Sequence, residues 1–222
     1  WYYYRFHVII GVILVAFLWV MIGDLFNKED FDFSVVVATR EELPTKAKKE
    51  LEIKIEQCAP AREDGTAPNV EMIFCKIPAA EDANDPDLYT AAVTNLRVQV
   101  RIGKAAIYLI DDEVMGDMEI SDRFIDFSQE YPELEHTEGI SWHIKQSEFM
   151  NDEYFEGIPD NLQLHFMKLT SMEKSGEKEK TQKSYEWQKQ TLENMMSNNL
   201  LRSEEEIGTV DIDSHYITYT YN

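Results

Sequence analysis

From Val8 to Gly23 every residue is apolar or glycine, and the nearest charges are Arg5 on one side and Asp24 on the other. A run of this kind leaves a chain three outcomes: a cleaved signal, a helix buried in a globular core, or a membrane anchor. As an α-helix it covers roughly 24 Å, against a hydrocarbon core of about 30 Å. Residues with a taste for the interface make up the difference. Trp1, Tyr2, Tyr3, Tyr4 and Phe6 precede the run, and Leu25 and Phe26 follow it, as in the aromatic belts of spanning helices. A signal peptide ends in a small-x-small cleavage site, whereas the exit here reads Met21-Ile22-Gly23-Asp24-Leu25. A helix on the core of a small domain keeps a polar face, and this one has none. The expectation is a transmembrane anchor over residues 1–26, with residues 7–23 in the bilayer.

Orientation follows from the flanking charge. Arg5 lies before the run, and the acidic set Asp24, Glu29, Asp30 and Asp32, broken only by Lys28, lies after it. Basic flanks stay cytoplasmic. The protein is therefore expected at the cell membrane, single-pass, with residues 27–222 as one extracytoplasmic domain.

The formal charge is −21, and Arg5 is the one charged residue among the first 23. The remainder carries 20 Lys and Arg against 42 Asp and Glu, a surface that repels nucleic acid and anionic headgroups. Nucleic acid is excluded as a partner. With 44% hydrophobic residues the chain is not of disordered composition; much of the acidity reads as a solvated exterior. The two cysteines, Cys58 and Cys75, have no CxxC spacing and no cofactor is expected. An oxidising exterior offers them a disulfide. The other reading makes each a small buried apolar residue.

Beyond the anchor, "FDFSVVVAT" (31–39) is rich in β-branched residues and reads as a buried strand. In "PTKAKKELEIKIEQCAP", Ala47, Leu51, Ile55 and Cys58 recur at helical spacing, and Pro60 ends the helix. "NVEMIFCKI" (69–77) is a second strand. Asp85-Pro86 opens a helix whose stripe is Leu88, Ala92, Leu96 and Val100, with Gly103 capping its end. "AAIYLIDD" (105–112) is a third strand, apolar throughout as strands covered on both faces are. The order β-α-β-α-β predicts an α/β fold with a mostly parallel sheet. Residues 113–160 read as irregular and acidic, 161–170 as a later strand, 183–201 as a helix with Tyr185, Leu192, Met196 and Leu200 near one face, and Tyr216–Tyr221 as a short edge strand.

The phrases "YYYRFHVIIGVILVAFL", "DFSVVVAT", "IEQCAP", "LRVQVRIGKAAIYLIDDE" and "IPDNLQLHFMKL" resemble those of uncharacterised membrane-anchored proteins of Gram-positive bacteria. Their outer domain is similar to one lobe of a type 2 periplasmic solute-binding protein. The resemblance implies that Gly103 ends the helix before the third strand and that Asp111-Asp112 forms the acidic turn after it. It also implies a calcium loop after the "CAP" phrase. Here Ala61 stands in the first ligand position and only Glu63, Asp64 and Gly65 keep the pattern, too few oxygen ligands for such a loop. A complete solute-binding protein closes two lobes over its ligand, and roughly 195 residues make one lobe with elaborations.

No catalytic motif emerges. His136 and His143 in "ELEHTEGISWH" are not HExxH, so neither they, His165 nor His215 is assigned to a metal. "GISWH" places Ser141 two residues after Gly139 but lacks the second glycine of a nucleophile elbow. Asp111, Asp112 and Glu113 follow a strand's carboxyl end, where open α/β sheets bind ligands. With Trp142 as a stacking surface they are the candidate ligand-binding residues, the plainer reading being a hydrated acidic loop and a packed ring. The function expected is a binding or interaction domain without catalysis, for an envelope or transporter protein partner or a small ligand. The alternatives are a solute-capturing accessory of a transporter, a metal-assisted hydrolase, and a structural element pairing through its edge strand.

Overall fold

The structure, a computed structural model, describes residues 31–62, 64–79, 86–151, 155, 157–172, 178–207 and 216–219. These fall in one compact unit, Phe31–Asn222. The expected anchor lies outside the described residues, among which no helix is long and apolar enough to cross a membrane.

A strand made of Phe, Ser, three Val, Ala and Thr is stable only if both its faces are covered. All seven residues of β1 (Phe33–Thr39) are buried. It is flanked by β2 (Val70–Lys76) and β3 (Ile107–Asp111), both parallel to it. Helix α1 (Thr45–Cys58) joins β1 to β2, and α2 (Pro86–Ile102) carries the chain from β2 back across β1 to β3. Two right-handed crossovers that progress in opposite directions place their helices on opposite faces of the sheet. β1 is thereby enclosed, as its composition predicts.

The expectation of a mostly parallel sheet needs correction. β6 (Leu162–Phe166) runs antiparallel to β3, and β5 (Ser141–Trp142) and β4 (Thr137–Glu138) continue that sense outward. The reason is that the described residues after β3 form no crossover helix. Residues 112–161 instead fold back to the end they left, where the Asp112 amide donates to Asn161 O (3.2 Å), so β6 starts beside the finish of β3. β7 (Tyr216–Tyr219) pairs parallel with β2. The sheet of described residues is mixed, in the order β4-β5-β6-β3-β1-β2-β7.

Ala47, Leu51, Ile55 and Cys58 of α1 are buried as their spacing requires. Helix α6 (Lys178–Met196), which follows the short helices α3 (Asp112–Gly116), α4 (Phe127–Glu130) and α5 (Leu169–Met172), packs beside α1. It starts five residues earlier than its apolar pattern suggests. Its buried face is Gln188, Thr191, Leu192 and Met195, while Leu200 lies beyond its end and is exposed. Gln188 is buried because its Oε1 accepts the Ala106 amide at 2.6 Å, at the entry to β3.

Gly103 takes φ +64°, and its amide donates to Gln99 O (3.2 Å), the left-handed helix end its position predicts. A Cβ there would also lie 3.1 Å from Met172 Cα and 3.2 Å from Ser171 O, both backbone. Gly103→Ala combines conformational strain with a contact that cannot swing away, and is expected to lose about 1–3 kcal/mol of stability. Urea unfolding checks this, and an unchanged midpoint would refute it.

Candidate functional site

In a 2-1-3 strand order the chain reverses direction between β1 and β3, and the crevice at their carboxyl ends is where such sheets admit ligands. Arg40 leaves β1 there and Asp111 closes β3 there. Asp111 is 1% exposed. Its Oδ2 accepts the Arg40 amide at 2.6 Å, and its Oδ1 is buried without a hydrogen-bond partner. Burial raises the Asp111 carboxyl above its ordinary value, with the Arg40 amide and charge opposing the shift.

The Arg40 side chain fills the space in front. Its Nη1 donates to Pro78 O (3.0 Å), and its Nη2 to Glu113 O (3.1 Å) and Asp117 Oδ2 (2.7 Å). Nε lies 3.6 Å from Glu113 Oε2. Asp117 is held below the usual carboxylate range, chiefly by this Arg40 contact, and it also accepts from Tyr89. Arg97 of α2 donates to Asp117 O (2.9 Å). One guanidinium thus ties the loop after β2, the start of α3 and the turn after α3 to the end of β1.

Of the residues expected to bind a ligand, Asp111 and Glu113 meet here around Arg40. Asp112, the first residue of α3, is exposed. Trp142 is elsewhere: it pairs in β5 with Leu164 of β6 and is 1% exposed, a core residue with no stacking surface to offer. The sequence does not single out Arg40, because nothing local marks a lone arginine after a strand as the partner of residues 71 to 77 positions away. Beside this crevice, Thr39, Glu42, Leu43, Lys48, Phe74, Cys75 and Lys76 line a cavity of about 10 Å³, room for about one water.

Of the two readings open for the cysteines, the structure shows the buried one. Cys58 and Cys75 are free thiols, both buried, and burial pushes each up to about 12. They behave as small apolar side chains. Among the described residues the histidines lie apart from one another or meet only locally. The β4–β5 hairpin brings the His143 amide to His136 O (2.9 Å), and His143 Nε2 lies 3.7 Å from Glu138. No group of three or more metal-ligating side chains forms among the described residues; His215 lies outside them. Ser141 sits in the two-residue strand β5. Asp64 Oδ1 accepts from both the amide and the hydroxyl of Thr66 (2.9 and 2.6 Å), a local turn within the segment compared with a calcium loop.

Glu56 and His165 are among the ionisable groups buried apart from this crevice. Glu56 of α1 is raised to about 7, first by burial and then by the charge of Glu52 one helical turn away; the Val70 amide and Arg202 pull the other way. His165 of β6 is lowered to about 4 by burial, with Nδ1 3.1 Å from Ile140 O and Nε2 without a partner.

Comparison with protein-family models, curated proteins and solved structures finds no match to this chain.

Two predictions follow from these placements. Arg40→Ala removes three hydrogen bonds at a partly buried junction and is expected to cost about 1–3 kcal/mol, whereas Asp111→Asn keeps an oxygen for the Arg40 amide and sheds a buried charge, so it should cost far less. Equal losses in chemical denaturation would contradict this account. The second concerns pH. Between 4.5 and about 7 the folded chain holds a proton on Glu56 that the unfolded chain has released, so this stabilisation is full below 4.5 and disappears as pH rises through 7. His165 acts in the opposite sense: its contribution is full above 6.5 and is lost as pH falls through about 4. The two slopes offset each other where they overlap. In Glu56→Gln the His165 slope is expected to stand uncovered, with stability rising by up to about 1.4 kcal/mol per pH unit across the overlap. Unfolding free energies of the two proteins at matched pH decide it; parallel profiles would mean that Glu56 is an ordinary carboxylate.

Proposed function

We propose that this protein is a non-catalytic interaction domain, held at the outer face of a cell membrane by residues 1–26, which engages a protein partner through its surface. The observation that carries the reading is the Arg40 network. The crevice at the switch point, where an α/β sheet of this order would take a small ligand, is occupied by the chain's own guanidinium. A partner that docks on a surface needs no enclosed cavity, while a captured solute does.

The anchor is supported by the uncharged run Val8–Gly23 with its aromatic flank, and the outward orientation by Arg5 before it and the acids after it. The resemblance to one lobe of a type 2 periplasmic solute-binding protein finds support in the parallel 2-1-3 centre of the sheet. A second reading, a solute-capturing accessory of a transporter, is favoured by one feature. The buried Oδ1 of Asp111 lacks a hydrogen-bond partner at that crevice, as an acceptor awaiting a ligand would.

Thermal unfolding of the full chain against amino acids, sugars and divalent cations separates the two. A solute at about 100 times its dissociation constant would add roughly 2.7 kcal/mol. The interaction reading expects a flat panel and, on intact cells, a discrete cross-linked species containing a second protein. A selective rise for one solute class would transfer the assignment to the second reading.

A further inference from the structure

The two ends of the sheet are unlike. At one end lies β4, two residues long and carrying Glu138; shortness and charge both blunt an edge against pairing. At the other lies β7, with no strand among the described residues on its far side. Residues 216–222 read Tyr-Ile-Thr-Tyr-Thr-Tyr-Asn. They contain no charge, no proline and no glycine, so every sequence device that protects an edge is missing, and β-branched and aromatic residues dominate.

β7 lies in parallel register with β2, Met72 opposite Tyr216 through Cys75 opposite Tyr219. In a parallel ladder alternate residues turn their N–H and C=O toward the neighbour, and the residues between turn theirs away. Half of the main-chain groups of β7 therefore face outward, at the spacing of a further strand. Such an edge specifies the shape of its occupant: an extended segment that supplies complementary main-chain groups.

Charge selects among extended segments. The chain carries −21, and β7 follows a stretch containing Glu204, Glu205, Glu206, Asp211 and Asp213. A second copy would bring an equal charge to the same edge, while a basic segment is drawn to it. We propose that the outer edge of β7 is a strand-addition site for an extended, lysine- or arginine-bearing segment of a partner protein. This deepens the interaction reading above and rests on it.

The test uses the full chain and two synthetic peptides, Lys-Val-Thr-Val-Lys-Val-Thr-Val-Lys and the same sequence with glutamate for lysine. Hydrogen exchange follows the amides of residues 216–219 and of β2. Ile217→Pro and Thr218→Pro form the control pair. Adjacent residues of a strand aim their N–H groups in opposite directions, so one variant loses a bond to β2 and the other an outward donor. The outward variant is the one in which the β2 amides keep their protection. The basic peptide is expected to slow exchange at 216–219, the acidic peptide to leave it unchanged, and the outward proline to weaken binding roughly tenfold or more.

Three results would overturn the assignment: no slowing at about 1 mM basic peptide, equal binding to both proline variants, or a dimer in light scattering whose 216–219 amides are protected without peptide. The first two remove the edge as a peptide site, and the third gives it to a second copy. Cross-linking of the outward variant on cells separates this proposal from the reading beneath it. Capture that persists in that variant leaves the interaction domain standing and the β7 assignment refuted, whereas a selective solute response with no captured protein refutes both.

Discussion

Everything in this domain is arranged around the need to hide β1. Its seven residues have no exposed side chain among them, so a cover is required on each face and a partner strand on each edge. The chain supplies all four from the next seventy or so residues: β2 and β3 on the edges, α1 and α2 on the faces. Once that centre exists, the remaining elements are additions to it. β6, β5 and β4 extend the sheet past β3, β7 extends it past β2, and α6 lies beside α1 over the entry to β3.

The centre was legible because its signals are local. Runs of β-branched residues gave the strands, i/i+4 apolar spacing gave α1 and α2, and Gly103 gave a helix end that needs φ above zero. What could not be read depends on partners distant in sequence. The sense of β6 depends on where residues 112–161 return, and no periodicity encodes a return point. The buried face of α6 includes Gln188, a polar residue that a hydrophobic pattern skips, because its partner is the Ala106 amide 82 residues earlier. Glu52 and Glu56 are buried on α1 although both look like solvent-facing positions. Trp142 looked available in a loop-rich stretch, yet a large ring beside a strand is worth more in the core than in water.

The candidate site divides along the same line. The acidic turn after β3 could be placed at the crevice from sequence, since Asp111 ends an apolar strand. That the crevice holds Arg40 could not. With Arg40 present, Asp111, Glu113 and Asp117 form a neutralising shell around a cation rather than an open negative patch. The acidity of the chain thus has two components with different meanings. Carboxylates such as those at the Arg40 junction hold the chain to itself, and the larger exposed excess faces the solvent.

The end of α1 shows how late such ties are made. Its final turn contains no basic residue, and the carbonyls there are met from the far side of the sequence. Asn194 donates to Cys58 O, the Leu201 amide to Gln57 O, and Arg202 to Glu56 O and Ala59 O. A chain emerging from the ribosome has β1, α1, β2, α2 and β3 in hand long before residue 194 arrives. The central layer can collapse early on short connections, whereas the last turn of α1 gains these partners only once residues 194–202 are present, and contacts over such separations carry a large closure entropy. The clasp therefore makes the end of α1 depend on residues far along the chain: without residues 194–202 the core strands would still have their partners, but the carbonyls of the last turn of α1 would have lost theirs.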